Sequence, residues 1–540
     1  MARPGIYGNL FGNIKGDIYG GVTAAIVALP LALAFGVASG IGAIAGLYGA
    51  IMVGFFAAIF GGTPSQVSGP TGPMTVAIAA VVIQYGDNPG TAFLIIILAG
   101  FIQIGLGILK VGHYVSYTPH SVVSGFMSGI GLIIILIQTL PIFGLPTSPG
   151  GPVGAIASWV QIPQQVNMDA LTIGATSLAI MVFWPARLAK ILPSALASLL
   201  IGTLMAITIF DGAPAIGNVP TGFPEISLPA ISPGDLPAIV APAIILALLG
   251  SIDSLLTSLV ADSITRTRHH SNRELIGQGI GNIAAGLVGG LPGAGATMRT
   301  VVNVRAGGRT PLSGALHAII LLALVLGMGP LAEKIPHAVL AGILLKVGWD
   351  IIDWKYLRRI AAAPKDNVLV MLVTFGLTVF IDLITAVAVG FILASFVAAR
   401  RAEADELKGV TALALSPEGG ELSQEDHHLL ESLDDNVILV RLRGRFSYAS
   451  ARELTYSIGN INGSHTAIIY DFSETAYVDT SAAMAVGDLL TSAFESVGNC
   501  YVCGLSGQTL DILNSLGALE NVPDSHIFDT RHDVIVFLAS

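Results

Sequence analysis

From Tyr19 to Arg400 this chain is a near-continuous succession of apolar segments joined by short polar stretches. No other feature constrains it as strongly. Backbone inside a bilayer has no water to pair with, so each segment must satisfy its own N–H and C=O groups, and the helix does so within one segment. Seven segments are read in the first half, near 18–38, 43–61, 70–85, 92–110, 119–141, 170–186 and 193–210. Seven more follow near 237–260, 275–290, 296–305, 310–329, 337–353, 367–382 and 383–399. Several fall short of the ~20 residues that a full span needs. The third and tenth are the telling ones, because each begins at a Gly/Pro/Thr-rich break. These breaks are Pro64-Ser-Gln-Val-Ser-Gly-Pro-Thr-Gly-Pro-Met-Thr75 and Leu291-Pro-Gly-Ala-Gly-Ala-Thr-Met-Arg-Thr300.

Two interrupted segments at corresponding places in two halves point to a midplane binding site between inverted repeats. Irregular backbone at that depth is tolerated only where it is buried or lines a cavity. A pair of half-helix N-termini there would present unpaired N–H groups and positive dipole ends, which suit an anion. Ser68, Gly69, Thr71 and Gly72 on the first break are therefore expected to bind substrate. On the second break the expected residues are Ala296, Thr297 and Arg299, the last adding a full charge. Arg299 has two blander readings, a static pair with Asp253 or a side chain reaching toward the cytoplasm.

Asp253 and Thr257 lie four apart and so share one face of the eighth segment. A carboxylate at membrane depth is costly and is by default functional. Asp253 and Thr257, with oxygens of Gly295, Ala296 and Thr297, could supply the ligands that a hard cation wants. A proton-coupling carboxylate is the further alternative. Asp382 reads as solvated between the last two segments. His269 and His270 lack metal-ligand partners at useful spacing.

The distribution of Lys and Arg gives the orientation. With the N-terminus inside, the basic joints around 187–190, 266–273, 305–309, 355–365 and 400–401 are cytoplasmic, and Lys334 is the exception. The connections 86–91, 142–168 and 211–236 carry no Lys or Arg and fall outside, as the positive-inside rule asks. Met1 to Asp17 lacks the apolar core of a cleavable signal peptide.

Composition changes abruptly after Arg401. Residues 402–433 read as an acidic linker, with Glu418, Glu421, Glu425 and Asp426. From about Asp435 short apolar runs alternate with helical stretches. Strands are expected at Val437–Leu442, Thr466–Asp471 and Asn499–Gly504, and helices near 450–459, 482–497 and 507–516, giving a small open α/β sheet. Cys500 and Cys503 mimic a redox motif but fall on one strand with opposite-facing side chains, so they read as buried thiols. A net charge of −10 without a basic array argues against nucleic acid. No phosphate-binding loop, nucleophile elbow or zinc-protease motif occurs, so an enzyme is not expected.

The chain resembles the SulP family of anion transporters with a C-terminal STAS domain. Gly16-Asp17 and Gly21-Val-Thr-Ala-Ala-Ile-Val-Ala-Leu-Pro-Leu-Ala-Leu-Ala-Phe35 resemble the family's first segment. Asp471-Phe-Ser and Val478-Asp-Thr-Ser481 resemble the STAS strand-loop-helix. Leu255 to Thr267, Gly277-Gln-Gly-Ile-Gly-Asn282 and Gly293-Ala-Gly-Ala-Thr-Met298 are most similar to the BicA-type sodium-dependent bicarbonate transporters. The resemblance implies an aromatic pocket wall at Phe35 and a sodium site at Asp253, Thr257, Gly295, Ala296 and Thr297. It also implies a regulatory position at Ser481, and many members carry an arginine where Arg299 stands.

The expected protein is a helical polytopic membrane protein of fourteen segments in a 7+7 inverted repeat. The transport domain covers 1–401, with repeats about 15–211 and 236–401, and the STAS domain covers 434–540. Its expected activity is uptake of a small inorganic anion, bicarbonate with Na⁺ first, by alternating access and without a cofactor. The rivals are a proton-coupled sulfate or dicarboxylate transporter, an anion exchanger, or a membrane-tethered STAS signalling protein. A bacterial inner membrane, cytoplasmic termini, a homodimer, contact with membrane lipid and a cytoplasmic STAS regulator complete the expectation.

Overall fold

The computed structural model describes residues 11–85, 89–113, 119–148, 150–189, 192–217, 226, 236–381, 383–407, 410–413, 426, 428–429, 433, 437–447, 467–497 and 499–540. The expected helix near 450–459 and Asp382 lie outside them, as do Glu418, Glu421 and Glu425. The chain divides into two compact units, Met1–Ile392 and Leu393–Ser540.

Helices cover all fourteen apolar stretches. They are α1 (Ile14–Ala38), α2 (Ala43–Phe60), α3 (Gly72–Gln84), α4 (Pro89–Ile108), α5 (His120–Gln138), α6 (Met168–Phe183) and α7 (Ser194–Thr208). After them come α8 (Leu236–Thr265), α9 (Ser271–Leu287), α10 (Thr297–Ala306), α11 (Pro311–Ala332), α12 (His337–Ile351), α13 (Lys365–Phe380) and α14 (Leu383–Leu407). By length and composition, six helices among the described residues suffice to cross a bilayer, or seven if the bent α10–α11 pair counts as one.

Small residues let these helices approach closely, as they do in lipid. At the α4–α9 crossing a Cβ on Gly100 would sit 2.6 Å from the Gly279 carbonyl oxygen, and one on Gly279 would sit 2.5 Å from that of Gly100. Gly131 and Gly348 make the same mutual contact between α5 and α12. Asp17 of α1 is fully buried and accepts hydrogen bonds from the backbone N–H groups of Arg309 (2.8 Å) and Thr310 (3.0 Å). It thereby satisfies donors at the start of α11 and ties the two halves together.

The second unit holds β3 (Val410–Leu413), β4 (Val437–Leu442), β5 (Gly444–Phe446), β6 (Ala467–Asp471), β7 (Thr475–Val478), β8 (Cys500–Cys503) and β9 (Ile527–Phe528). Its helices are α15 (Thr480–Val497), α16 (Gly507–Ser515) and α17 (Arg531–Ala539). The main sheet runs β3-β4-β6-β8-β9, antiparallel between β3 and β4 and parallel elsewhere. Every residue of β4, β6 and β8 is buried, as a parallel sheet covered on both faces requires. Strand β3 lies within the stretch read as a linker. Four residues flanked by acidic, polar chain carry too little pattern to reveal an edge strand.

Cys500 and Cys503 do lie on one strand and pack into opposite apolar clusters. Burial pushes the Cys500 thiol up to about 12 and Cys503 in the same direction. The nucleophile is the thiolate, so neither should react with iodoacetamide at about pH 8 until the domain is unfolded. Quantitative alkylation of the native protein, followed by peptide mass mapping, would contradict this.

Candidate functional site at the paired chain breaks

Each break contains a two-residue strand, β1 (Ser68–Gly69) and β2 (Ala294–Gly295), and the two pair antiparallel, Ser68 with Gly295 and Gly69 with Ala294. (They precede β3 in the chain and form a sheet of their own.) The pairing brings the starts of α3 and α10 together from positions more than two hundred residues apart. The two helix starts are thus adjacent in backbone geometry.

Neither helix start is capped by a side chain. Thr71, the N-cap of α3, makes no capping bond, and the N-cap of α10 is Ala296, which has nothing to offer. First-turn N–H groups have no partner within their own helix. Around them, Thr71 Oγ1, Thr75 Oγ1, Asp253 Oδ2 and Arg299 Nη1 are buried without a hydrogen-bond partner. Buried polar groups are normally paired, so a cluster of four such atoms calls for a ligand.

Arg299 is 1% exposed and does not reach toward the surface. Its Nη2 donates to the Pro70 carbonyl of the opposite break. Gly69 makes room for it: a Cβ there would meet Arg299 Nη1 at 2.5 Å, and its φ of 149° suits glycine. Arg299 and Asp253 form no ion pair within 4.0 Å, although each lies in the other's electrostatic field. Both blander readings of Arg299, the snorkel and the closed pair, are therefore absent from this structure.

On α8, Thr257 Oγ1 donates to the Gly295 carbonyl (2.9 Å) and shares a 2.7 Å hydrogen bond with Thr297 Oγ1. Three of the expected oxygens thus converge, one helical turn from Asp253. The Ala296 N–H goes to the Val67 carbonyl (2.9 Å), and its carbonyl accepts from Thr300 N–H (2.8 Å). One carboxylate with neutral hydroxyl and carbonyl oxygens is a donor set that suits a hard cation. Among the described residues no cluster of three or more His, Cys, Asp or Glu forms a metal site.

Of the remaining expected residues, Gly72 and Ser68 belong to the first break, and Phe35, Ser481 and His269 lie outside it. Gly72 opens α3 against Ile134 and Ile351. Ser68 Oγ accepts from Gln278 Nε2 (2.6 Å). Phe35 lines a small cavity with Thr75 and Ala79, beside α3 rather than between the two helix starts. Ser481 is exposed in the first turn of α15, within the second unit. His269 pairs with Asp262 at 2.7 Å and so fixes its own loop.

Sequence reasoning missed Glu274. It is 1% exposed in the first turn of α9, and its carboxylate accepts from Gly62 N–H (2.8 Å), Gln66 Nε2 (2.7 Å) and Gln278 Nε2 (2.8 Å). Through Gln66 and Gln278 it holds the first break in place. The four-residue spacing of Glu274 and Gln278 on one helix face is the signal that was available. His317 was also missed: it is wholly buried on α11.

The model of the sulfate permease family matches residues 14–374, and that of the STAS domain matches residues 432–534. The bicarbonate transporter BicA of Synechocystis is 42% identical over 501 residues, covering 92% of this chain and 89% of its own length. The solved transmembrane domain of a cyanobacterium bicarbonate transporter BicA superposes with a TM-score of 0.67 at 48% identity, covering 70% of this chain and 98% of that one. The structure of SLC26A9 gives a TM-score of 0.83 over 98% of this chain and 90% of that one, at 17% identity, a likeness of fold alone.

Proposed function

The chain belongs to the sulfate permease family and carries a C-terminal STAS domain; from this premise we propose that it is a secondary transporter that takes up bicarbonate together with Na⁺. The observation that carries the reading is the pair of uncapped half-helix starts, joined through β1 and β2 and surrounded by four unpartnered buried polar atoms. In this reading N–H groups near Thr71 and Thr297 hold the anion, with Ser68, Gly69 and Gly72 shaping the first break and Phe35 forming a wall. Arg299 raises the local anion concentration. Asp253, Thr257, Thr297 and the Gly295 carbonyl bind Na⁺, with Ala296 as a weaker contributor.

Energetics favour coupling. Moving one negative charge inward against 100 mV costs about 2.3 kcal/mol, which one co-transported Na⁺ cancels. Sulfate with a single cation would still carry net negative charge inward. We further propose fourteen segments in a 7+7 inverted repeat, α1–α7 and α8–α14, with α3 and α10 as the half-helices. Both termini are cytoplasmic in a bacterial inner membrane, the protein is a homodimer, and Ser481 on the STAS domain is a contact for a regulator.

Uptake of labelled bicarbonate and of labelled sulfate into proteoliposomes, with and without an inward Na⁺ gradient, tests the proposal. Bicarbonate accumulation should require Na⁺. Sulfate accumulation driven by a proton gradient and indifferent to Na⁺ would replace this reading with the proton-coupled one. Proton-driven uptake is the runner-up because the family model is that of a sulfate permease.

A further inference from the structure

A cavity of about 430 Å³ lies between α3, α5, α8 and α14, walled by side chains such as Pro73, Phe126, Leu249, Ile252 and Val387. Among the residues that line it, Asp253 alone carries a charge. Its Oδ2 has no hydrogen-bond partner, and the residue is only 9% exposed. The cavity has the volume of a site for a small organic molecule. Its chemistry does not suit the transported anion. No lining side chain donates an N–H or O–H, and Pro73, in the first turn of α3, has no backbone N–H to give.

An apolar chamber with one carboxylate oxygen left open asks for the opposite ligand, a cation that brings its own apolar body. A bare Na⁺ would answer the carboxylate and leave the walls uncovered. An acyl chain would cover the walls and leave the carboxylate unanswered. We infer that this cavity binds an amphiphilic organic cation, a primary ammonium on an aromatic or branched aliphatic body, with the nitrogen at Asp253 and the body between α5, α8 and α14. Such a ligand excludes Na⁺ from Asp253 and wedges helices of the two repeats together. It therefore inhibits uptake competitively with Na⁺ and not with the anion. The competition rests on the reading of Asp253 as the coupling-ion carboxylate, whereas binding to the cavity does not.

The test uses the full-length purified protein and four probes: phenylbutylammonium, phenylbutanol, phenylbutanoate and methylammonium. The first three share one body and differ in head group, and the last is a head group alone. Apparent affinities come from ligand-induced shifts in melting temperature. A charge-assisted bond should make the ammonium bind about tenfold tighter than the alcohol, with the carboxylate and methylammonium weaker still. In Asp253→Asn, which keeps the side chain's size, the preference over the alcohol should vanish, and Asp253→Glu should restore it. Val387→Phe fills the cavity and should weaken ammonium and alcohol alike.

Equal binding of all three head groups would overturn the inference in favour of a general apolar crevice. So would a preference that survives in Asp253→Asn. Loss of Na⁺-dependent uptake in Asp253→Asn without any ammonium preference in the wild type would also overturn it, while sparing the coupling proposal. An Asp253-dependent preference that Na⁺ does not reduce would uphold the cavity and remove Asp253 from the sodium site.

Discussion

Asp253→Asn is expected to abolish Na⁺-stimulated bicarbonate uptake while the protein inserts and remains folded. The substitution keeps size and hydrogen-bonding capacity but removes the only negative charge in the proposed cation shell. Thr257, Thr297 and the Gly295 carbonyl remain, held by hydrogen bonds of 2.7–2.9 Å that do not involve Asp253. The loss is therefore electrostatic. A bond to a charged group is worth up to about 3 kcal/mol, so apparent Na⁺ affinity should fall by about a hundredfold or more. Thr297→Val removes an oxygen without changing charge and should shift Na⁺ dependence less, leaving apparent anion affinity nearly intact. Sodium titrations of uptake at fixed bicarbonate measure both. Wild-type Na⁺ dependence in Asp253→Asn would move the cation site elsewhere, and melting curves of the purified variant exclude a folding defect.

The second large effect is expected at Arg299. Its Nη2 is taken by the Pro70 carbonyl, but Nη1 is buried and unpartnered beside the two helix starts. Arg299→Gln should weaken apparent affinity for every anion, by about ten- to a hundredfold for a monovalent one, the range for a bond to a charged group. Coulomb attraction scales with the product of charges, so a divalent competitor such as sulfate should lose more than bicarbonate. Arg299→Lys keeps the charge but not the planar fork and should recover the dependence on anion charge only in part. The measurement is a concentration series of each anion at fixed Na⁺. Unchanged affinity for both anions would leave Arg299 as a brace between the two breaks. In that case Gly69→Ala, which crowds the same guanidinium, should disturb folding rather than affinity.

How much of this was legible in the chain can be judged element by element. Helices α1 to α14 follow the apolar stretches because hydrophobic length is a local property that a bilayer enforces on each segment separately. The breaks at 64–75 and 291–300 were equally visible, since glycine and proline act on their own backbone. Asp253 and Thr257 announced themselves through four-residue spacing on one helix. In the second unit β4, β6 and β8 were readable as buried runs, while β3 and β9 were not. Edge strands of four and two residues are stabilised by their neighbours rather than by their own composition.

What the sequence by itself determined, then, was a membrane chain with two breaks, an arginine on the second of them and a lone carboxylate inside the eighth segment. That β1 pairs with β2, that Arg299 crosses 229 positions to the carbonyl of Pro70, and that Glu274 reaches back 208 positions to Gln66 were decided by the tertiary structure alone. The same holds for the apolar cavity ending at Asp253, whose walls come from four helices scattered between residues 73 and 391. Periodicity and composition report the preference of a segment for its solvent. A partner across the fold, or a space between helices, exists only once the segments have packed. Close packing, not local preference, chooses which buried polar atoms meet and which are left for a ligand.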